Sequence, residues 1–159
     1  MKNIHKLAAI DIGSNAVRLL ITSIRINKPD TKFKKISLVR VPLRLGEDVF
    51  SKGKISDKKL KKLQKTLKAF KILMQMHEVY MFKAVATSAM REAENSTKII
   101  EDIFKKLSIK IDLISGKKEA LMIANVFLNS IFITLNLKLF LSITSVSYTH
   151  LTLPTKNEV

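Results

Sequence analysis

The order of extended and helical patterns along the chain is the feature that most restricts its fold. Three apolar or alternating segments at residues 6–12, 16–26 and 33–42 are typical of strands, and turns containing glycine, asparagine or proline separate them. After them, helical and extended patterns alternate up to residue 143, which predicts the order β-β-β-α-β-α-β-α-β. This order forms a mixed sheet with helices on its faces, so we expect an α/β fold.

The helices are predicted from apolar residues that recur at spacings of three and four. The longest such pattern begins after Ser56, which has the chemistry of an N-cap, and it follows a predicted loop at residues 44–53. Its apolar positions are Leu60, Leu63, Leu67, Phe70 and Met74. We expect Asn95 and Ser96 to cap a second helix, and a third helix over residues 117–132. The remaining strands are predicted at residues 78–86, 109–114 and 137–143.

The chain is strongly basic. Among its 159 residues, 29 lysines and arginines against 13 acids give a net charge of +16, which favours an anionic partner such as nucleic acid, polyphosphate or an acidic membrane surface. The densest charge lies on the helix predicted over residues 56–77, where no aromatic residue is interleaved for base stacking. Lysines on solvated helix faces explain most of the charge, so we do not expect nucleic-acid binding.

Neither end of the chain predicts a membrane segment. The apolar run directly before Asp11 has only four residues, which is too few for the core of a signal peptide. Residues 121–146 are long enough to span a bilayer, but asparagines, a serine and Lys138 interrupt them. The chain has no cysteine, which excludes disulfides, thiolate metal sites and a cysteine nucleophile. We therefore expect a cytoplasmic protein.

The strongest local signal for a binding site is the turn after the first strand. Residues 10–18 read Ile-Asp-Ile-Gly-Ser-Asn-Ala-Val-Arg. The amides and hydroxyls of such a turn can point at phosphate oxygens, and Asp11 could hold a divalent cation directly or through water. From these residues alone, the alternative is a hairpin turn in which Asp11 caps the backbone.

A second signal follows the fourth predicted strand, where residues 86–93 read Ala-Thr-Ser-Ala-Met-Arg-Glu-Ala. Small hydroxyl residues end the strand, and Arg91 offers the forked guanidinium that suits phosphate. A capped loop with a surface arginine would have the same pattern.

A third signal follows the fifth predicted strand, where residues 114–120 read Ile-Ser-Gly-Lys-Lys-Glu-Ala. Glu119 falls in the first turn of the third predicted helix, where a carboxylate stabilises the helix N-terminus. The functional interpretation is a general base that orients water against a phosphorus atom. All three signals lie after a strand and before a turn or helix, which is where ligands collect in open sheets.

Taken together, four segments resemble the Ppx/GppA family of exopolyphosphatases and guanosine pentaphosphate phosphohydrolases. Residues 9–15 are similar to the family's first phosphate motif, and residues 44–47 resemble its loop before the first helix. Residues 86–95 are close to the family's Ala-Thr-Ser-Ala-x-Arg-x-Ala-x-Asn, and residues 114–120 fit its Ser-Gly-x-x-Glu-Ala. The resemblance covers roughly residues 6–143 and implies a ribonuclease-H-like lobe of the actin-like ATPase superfamily.

The resemblance also implies a reaction and the residues that perform it. The reaction is magnesium-dependent hydrolysis of a terminal phosphoanhydride in polyphosphate or guanosine pentaphosphate. Glu119 would activate the water, and Asp11 would anchor the Mg²⁺ ion and the phosphate. The phosphate ligands would be Gly13, Ser14, Asn15, Arg18, Ser88 and Arg91. Full-length members of the family are expected to be homodimers.

The chain departs from the family pattern at several positions. Lys118 stands where a further acid is usual, and Leu121 where arginine is frequent, which weakens any inference about substrate preference. No glycine follows Gly116, so the family's second phosphate motif, Asp-x-Gly-Gly-Gly-Ser-Thr, has no counterpart. We therefore expect residues 1–143 to be a first lobe that lacks the second and is inactive alone. Residues 144–159 are expected to be a non-native or disordered tail.

Two other functions stay open on the residues alone. One is a basic module that binds anions or nucleic acid without chemistry, which would show a steep salt dependence and be indifferent to Glu119. The other is a sugar-kinase-like ATPase of the same superfamily. The Thr-Ser-Ala-x-Arg segment fits that class less well.

Overall fold

The computed structural model describes residues 4–25 and 32–117. The strands are β1 (Ile4–Ile12), β2 (Ala16–Arg25), β3 (Lys32–Pro42), β4 (Met81–Ala86) and β5 (Ile111–Leu113). The helices are α1 (Leu45–Lys52), α2 (Asp57–Met76), α3 (Ser88–Glu92) and α4 (Ser96–Leu107). Residues 116 and 117 are helical. The rest of the predicted third helix, the last predicted strand and the tail at 144–159 lie outside the described residues.

The five strands form one mixed sheet in the order β3-β2-β1-β4-β5. β1 pairs antiparallel with β2, and β2 with β3, because short connections join consecutive strands. β4 lies parallel to β1, and β5 parallel to β4, because helices lie in the connections between them. The predicted α/β mixed sheet is therefore confirmed.

One face of the sheet packs against α2 and α4. The apolar stripe predicted for α2 is buried at residues 63, 67, 70 and 74, and the Ser56 hydroxyl accepts the Lys59 amide as an N-cap. α4 buries Ile99 and Ile103 in the same core. Burying each large apolar side chain contributes about 1.5–3 kcal/mol, which holds both helices to the sheet. Of the helices in the described ranges, none is long and apolar enough to cross a membrane.

Two short helices lie where the sequence predicts loops. α1 begins after Arg44 and ends before Gly53, which both have left-handed backbone conformations at φ 51° and 71°. α3 has only five residues, too few to show a helical period. Asn95 occupies the predicted N-cap position of α4, but its side chain makes no capping hydrogen bond to that helix. The side-chain amide of Asn95 instead bonds to the backbone of Ile55. Its Oδ1 accepts the Ile55 N–H at 3.1 Å, and its Nδ2 donates to the Ile55 carbonyl at 2.9 Å.

Candidate functional site

The parallel register of β1, β4 and β5 brings the three predicted turns to one edge of the sheet. Ile12, Ala86 and Leu113 occupy equivalent positions, because Ile12 pairs with Ala86 and Ala86 with Leu113. Backbone hydrogen bonds continue past these residues, from Thr87 to the Ile12 carbonyl and from Ile114 to the Ala86 carbonyl. The expectation that the three signals share one edge is confirmed for the segments that the structure describes.

The first turn, residues 13–15, is held from behind by the segment between β3 and α1. The Asn15 carbonyl accepts the amides of Leu43 and Arg44 at 3.1 and 2.8 Å, and the Ser14 carbonyl accepts the Gly46 amide at 2.9 Å. These hydrogen bonds hold the turn through its carbonyls and leave Asn15 exposed.

Two glycines give this turn its close packing. The Gly13 amide donates to the Ala16 carbonyl at 3.0 Å, and a Cβ on Gly13 would lie only 3.2 Å from that oxygen. A Cβ on Gly46 would lie 3.1 Å from the Ser14 Cβ and 2.8 Å from the ring of Phe50. Gly13 therefore lets the turn close on the Ala16 carbonyl, and Gly46 lets α1 approach Ser14 closely.

The first and second turns are joined by their serines. The Oγ atoms of Ser14 and Ser88 lie 2.6 Å apart, a hydrogen-bond distance across 74 residues of sequence. Both side chains are half-buried. Each of these hydroxyls has one O–H group that can donate a hydrogen bond to an oxyanion.

Arg91 joins the second turn to the third. It lies in α3, and its Nη1 donates to the Ile114 carbonyl at 2.7 Å. Its Nη2 would lie 3.8 Å from a Cβ on Gly116, so the guanidinium is next to the third turn. A half-buried guanidinium anchored at one nitrogen has a fixed orientation, which suits forked recognition of phosphate.

Asp11 and Arg18 face each other across the β1–β2 pair beside the first turn. They are register partners, and Arg18 Nη1 lies 3.5 Å from Asp11 Oδ2. The Asp11 carboxylate is nearly buried, whereas 42% of the Arg18 side chain is exposed. The pair therefore places one nearly buried carboxylate and one partly exposed cation at the edge where the turns meet.

The single carboxylate of Asp11 fits a Mg²⁺ ion whose other ligands are phosphate oxygens and water. Within residues 4–25 and 32–117, no group of three or more His, Cys, Asp or Glu side chains could hold a metal. Magnesium is commonly held by one or two carboxylates together with substrate phosphates and water. Asp11 supplies one nearly buried carboxylate, which suits an ion of this kind.

Glu119 lies outside the described residues, so the structure does not place it. The described chain ends at Lys117, in a helical conformation that begins at Gly116, directly after the third turn. The other predicted site residues, Asp11, Gly13, Ser14, Asn15, Arg18, Ser88 and Arg91, all lie at this edge of the sheet.

An ionic cluster that sequence reasoning missed holds the segment behind the first turn. Lys59 Nζ donates to the Arg44 carbonyl and lies 3.1 Å from Glu47 Oε2 and 3.2 Å from Asp48 Oδ1. Hydrogen bonds from Ser56, together with Lys59, lower the pKa of Asp48 to about 2, and Lys59 also lowers the pKa of Glu47. Lys59 points inward, but the sequence does not distinguish it from the exposed lysines around it.

The strand order defines a ribonuclease-H-like lobe, and comparison with known proteins identifies its family. A family model described as the Ppx/GppA phosphatase family matches residues 24–140. The chain belongs to this family, as the sequence motifs predicted.

Individual relatives agree with this assignment. The chain is 33% identical over 122 residues to a bifunctional 3-dehydroquinate synthase/phosphatase of Fusobacterium nucleatum, covering 75% of this chain and 18% of that protein. It is 30% identical over 115 residues to exopolyphosphatase 1 of Mycobacterium tuberculosis, covering 72% of this chain and 33% of that one. The chain therefore spans a third or less of the length of these curated relatives.

Solved structures show the same fold. A crystal structure of the Aquifex aeolicus member of the Ppx/GppA family matches with a TM-score of 0.67 and 30% identity, over 73% of this chain and 37% of that one. An exopolyphosphatase from Cytophaga hutchinsonii matches with a TM-score of 0.65 and 29% identity, over 71% and 35%. These matches favour neither the sugar-kinase-like ATPase nor the binding module without chemistry.

Proposed function

We propose that this chain supplies the phosphate-holding lobe of a phosphoanhydride hydrolase that releases terminal phosphate from inorganic polyphosphate or guanosine pentaphosphate. The observation that carries the proposal is the linkage of the three turns, by the Ser14–Ser88 contact at 2.6 Å and the Arg91–Ile114 hydrogen bond at 2.7 Å. Relatives named exopolyphosphatase support the substrate class.

The residues at this edge have different roles in binding a phosphate chain. The hydroxyls of Ser14 and Ser88 and the side chain of Asn15 bind phosphate oxygens, and Arg91 offers charge-assisted hydrogen bonds from a fixed position. Arg18 is exposed enough to swing from Asp11 toward a phosphate. Gly13 contributes space rather than a donor, because its amide is already bonded to Ala16.

Asp11 would hold Mg²⁺ together with the phosphate oxygens. When bound, the ion neutralises charge on the phosphoanhydride and polarises its phosphorus–oxygen bonds. The near-complete burial of Asp11 keeps bulk water from screening its charge. Its register partner Arg18 balances that carboxylate when the site is empty.

Glu119 is proposed as the general base that takes a proton from the attacking water. It lies three positions after Gly116, the glycine next to Arg91. A positioned base contributes about 10²–10⁴ in rate. We further propose that a second lobe closes over the substrate, because this chain spans a third or less of its curated relatives.

Binding of magnesium tripolyphosphate by the full chain, measured by calorimetry, tests the phosphate site. We expect Arg91→Met to weaken binding about 10-fold or more, and Arg91→Lys to weaken it less, because lysine keeps the charge but not the fork. Arg25→Met is the matched control, since Arg25 is exposed at the far end of β2, and it should change affinity less than about twofold.

The outcomes separate the two parts of the proposal. Equal affinities for the unchanged chain and Arg91→Met, with both folded by circular dichroism, would overturn the phosphate site. Steady release of orthophosphate by the chain alone would support the hydrolase and overturn the need for a second lobe.

A further inference from the structure

Five lysines form a continuous stripe on the solvent side of α2. They are Lys58, Lys61, Lys62, Lys65 and Lys68, and all five are exposed. Their spacings of three and four place them on one side of the helix, and from first to last the stripe is about 15 Å long, at 1.5 Å per residue. We call this surface the lysine stripe.

The stripe has no counter-charge of its own. After Asp57, α2 contains no acidic residue, and none of the five ammonium groups makes an ion pair or hydrogen bond within the part of the chain that the structure describes. The two inward lysines of the same helix do have partners: Lys59 pairs with Glu47 and Asp48 of α1, and Lys71 donates to the Leu107 carbonyl. On α4, Lys106 pairs with Asp102 at 2.8 Å.

Unpaired like charges at helical spacing repel one another, so the stripe is a destabilising arrangement unless something anionic lies along it. The partner that fits is an extended chain of charges, because the stripe is linear and exposed. A nucleic acid fits less well, since no aromatic side chain is exposed among these lysines for base stacking. An inorganic polyphosphate chain needs charge alone.

The stripe begins next to the elements that hold the first turn. Lys59, the residue after Lys58, donates a hydrogen bond to the Arg44 carbonyl. Gly46, two residues after Arg44, donates its amide to the Ser14 carbonyl in the first turn. A polyanion lying on the stripe therefore has one end near α1, the helix that packs behind the phosphate-holding turn.

We propose that the lysine stripe is a second, non-catalytic binding site for inorganic polyphosphate, which retains a long chain while the turns hold its end. The identity of the ligand rests on the proposed function. The physical claim is that long chains gain affinity from the stripe and short ones do not.

The test compares two variants of the full chain that lose the same charge. Lys58, Lys61, Lys65 and Lys68 are replaced by Gln in the first, and the control replaces four exposed lysines elsewhere, Lys34, Lys35, Lys98 and Lys105. Affinities for long-chain polyphosphate, tripolyphosphate and single-stranded DNA of matched charge are measured by competition against a labelled polyphosphate at several salt concentrations.

The stripe variant is expected to bind long-chain polyphosphate about 10-fold or more weakly. The slope of log affinity against log salt should fall by about 3, since each phosphate contact on a single strand contributes roughly 0.7. Tripolyphosphate affinity, which depends on Arg91, should stay within about twofold, and the control should lose less than about threefold for either ligand.

Several results would overturn the proposal. Equal losses in both variants would show that net charge acts without a site, and no loss in the stripe variant would show that the lysines are only solvated. Tighter binding of DNA than of polyphosphate, lost in the stripe variant, would assign the stripe to nucleic acid. Failure of the proposed function has a different signature, namely tripolyphosphate binding that is insensitive to Arg91→Met.

Discussion

Replacing Asp48 by Asn should destabilise the protein in a pH-dependent way. The Asp48 carboxylate accepts the Ser56 amide at 3.0 Å and lies 3.2 Å from Lys59 Nζ, so it connects the start of α2 to α1. Asn keeps an acceptor for Ser56 but loses the charge that faces Lys59. The substitution therefore removes the ionic part of the cluster while preserving its shape.

The pKa of Asp48 sets an upper limit on the magnitude, because the largest cause of its shift is the hydrogen bond with Ser56, for which Asn keeps an acceptor. That pKa falls from 3.8 to about 2 on folding, and each unit corresponds to about 1.4 kcal/mol. Only 14% of the side chain is exposed, but Lys59 lies close enough to solvent that screening reduces the gain. We therefore expect Asp48→Asn to cost about 1–2 kcal/mol at pH 7. Because the folded-state pKa is the lower one, this stabilisation is complete above about pH 4 and is lost as the pH falls toward 2.

Urea unfolding at pH 7 and at pH 2.5 measures this difference. Glu101→Gln is the control, because Glu101 is exposed on α4, so that variant should stay within about 0.5 kcal/mol of the unchanged chain. The reasoning fails if Asp48→Asn and Glu101→Gln are equally stable at pH 7. It also fails if the cost of Asp48→Asn is undiminished at pH 2.5.

Three further changes test other contacts. Gly46→Ala should cost about 1–2 kcal/mol in urea unfolding and weaken tripolyphosphate binding, because its Cβ would press on Ser14, and unchanged affinity would contradict this. Asn95→Ala should lower the free energy of unfolding by about 1–3 kcal/mol in thermal unfolding, because two hydrogen bonds to Ile55 are lost. A loss below about 0.5 kcal/mol would show that these two hydrogen bonds do not stabilise the fold. Glu119→Gln should lower orthophosphate release about 10²–10⁴-fold in a form of the protein that turns over, with tripolyphosphate affinity kept, and an unchanged rate would remove Glu119 from the mechanism.

Periodic features of the sequence predicted the larger elements well. The apolar face of α2, which ends at Met74, is buried as expected, because a long helix with one apolar face packs that face against the sheet. The common edge of the three turns also followed from the strand order, since parallel strands end on the same side of a sheet.

Contacts that depend on tertiary placement could not be predicted in this way. α1 buries only Leu45, Gly46 and Val49, too short a pattern to stand out from a loop with two glycines. The hydrogen bond of Asn95 to Ile55 spans 40 residues, and Asn at that position reads equally well as a helix cap. The Ser14–Ser88 contact likewise depends on how β1 and β4 align.

The central claim is that three separate turns form one phosphate-holding site. Two-dimensional ¹H–¹⁵N spectra of the full chain, recorded during titration with magnesium tripolyphosphate, test it residue by residue. The account predicts that the largest saturable shift changes fall at residues 13–15, 88–91 and 115–116, and that Arg91→Met abolishes all three groups together. Saturable binding that leaves these turns unchanged, or that perturbs one of them without the others, would contradict it.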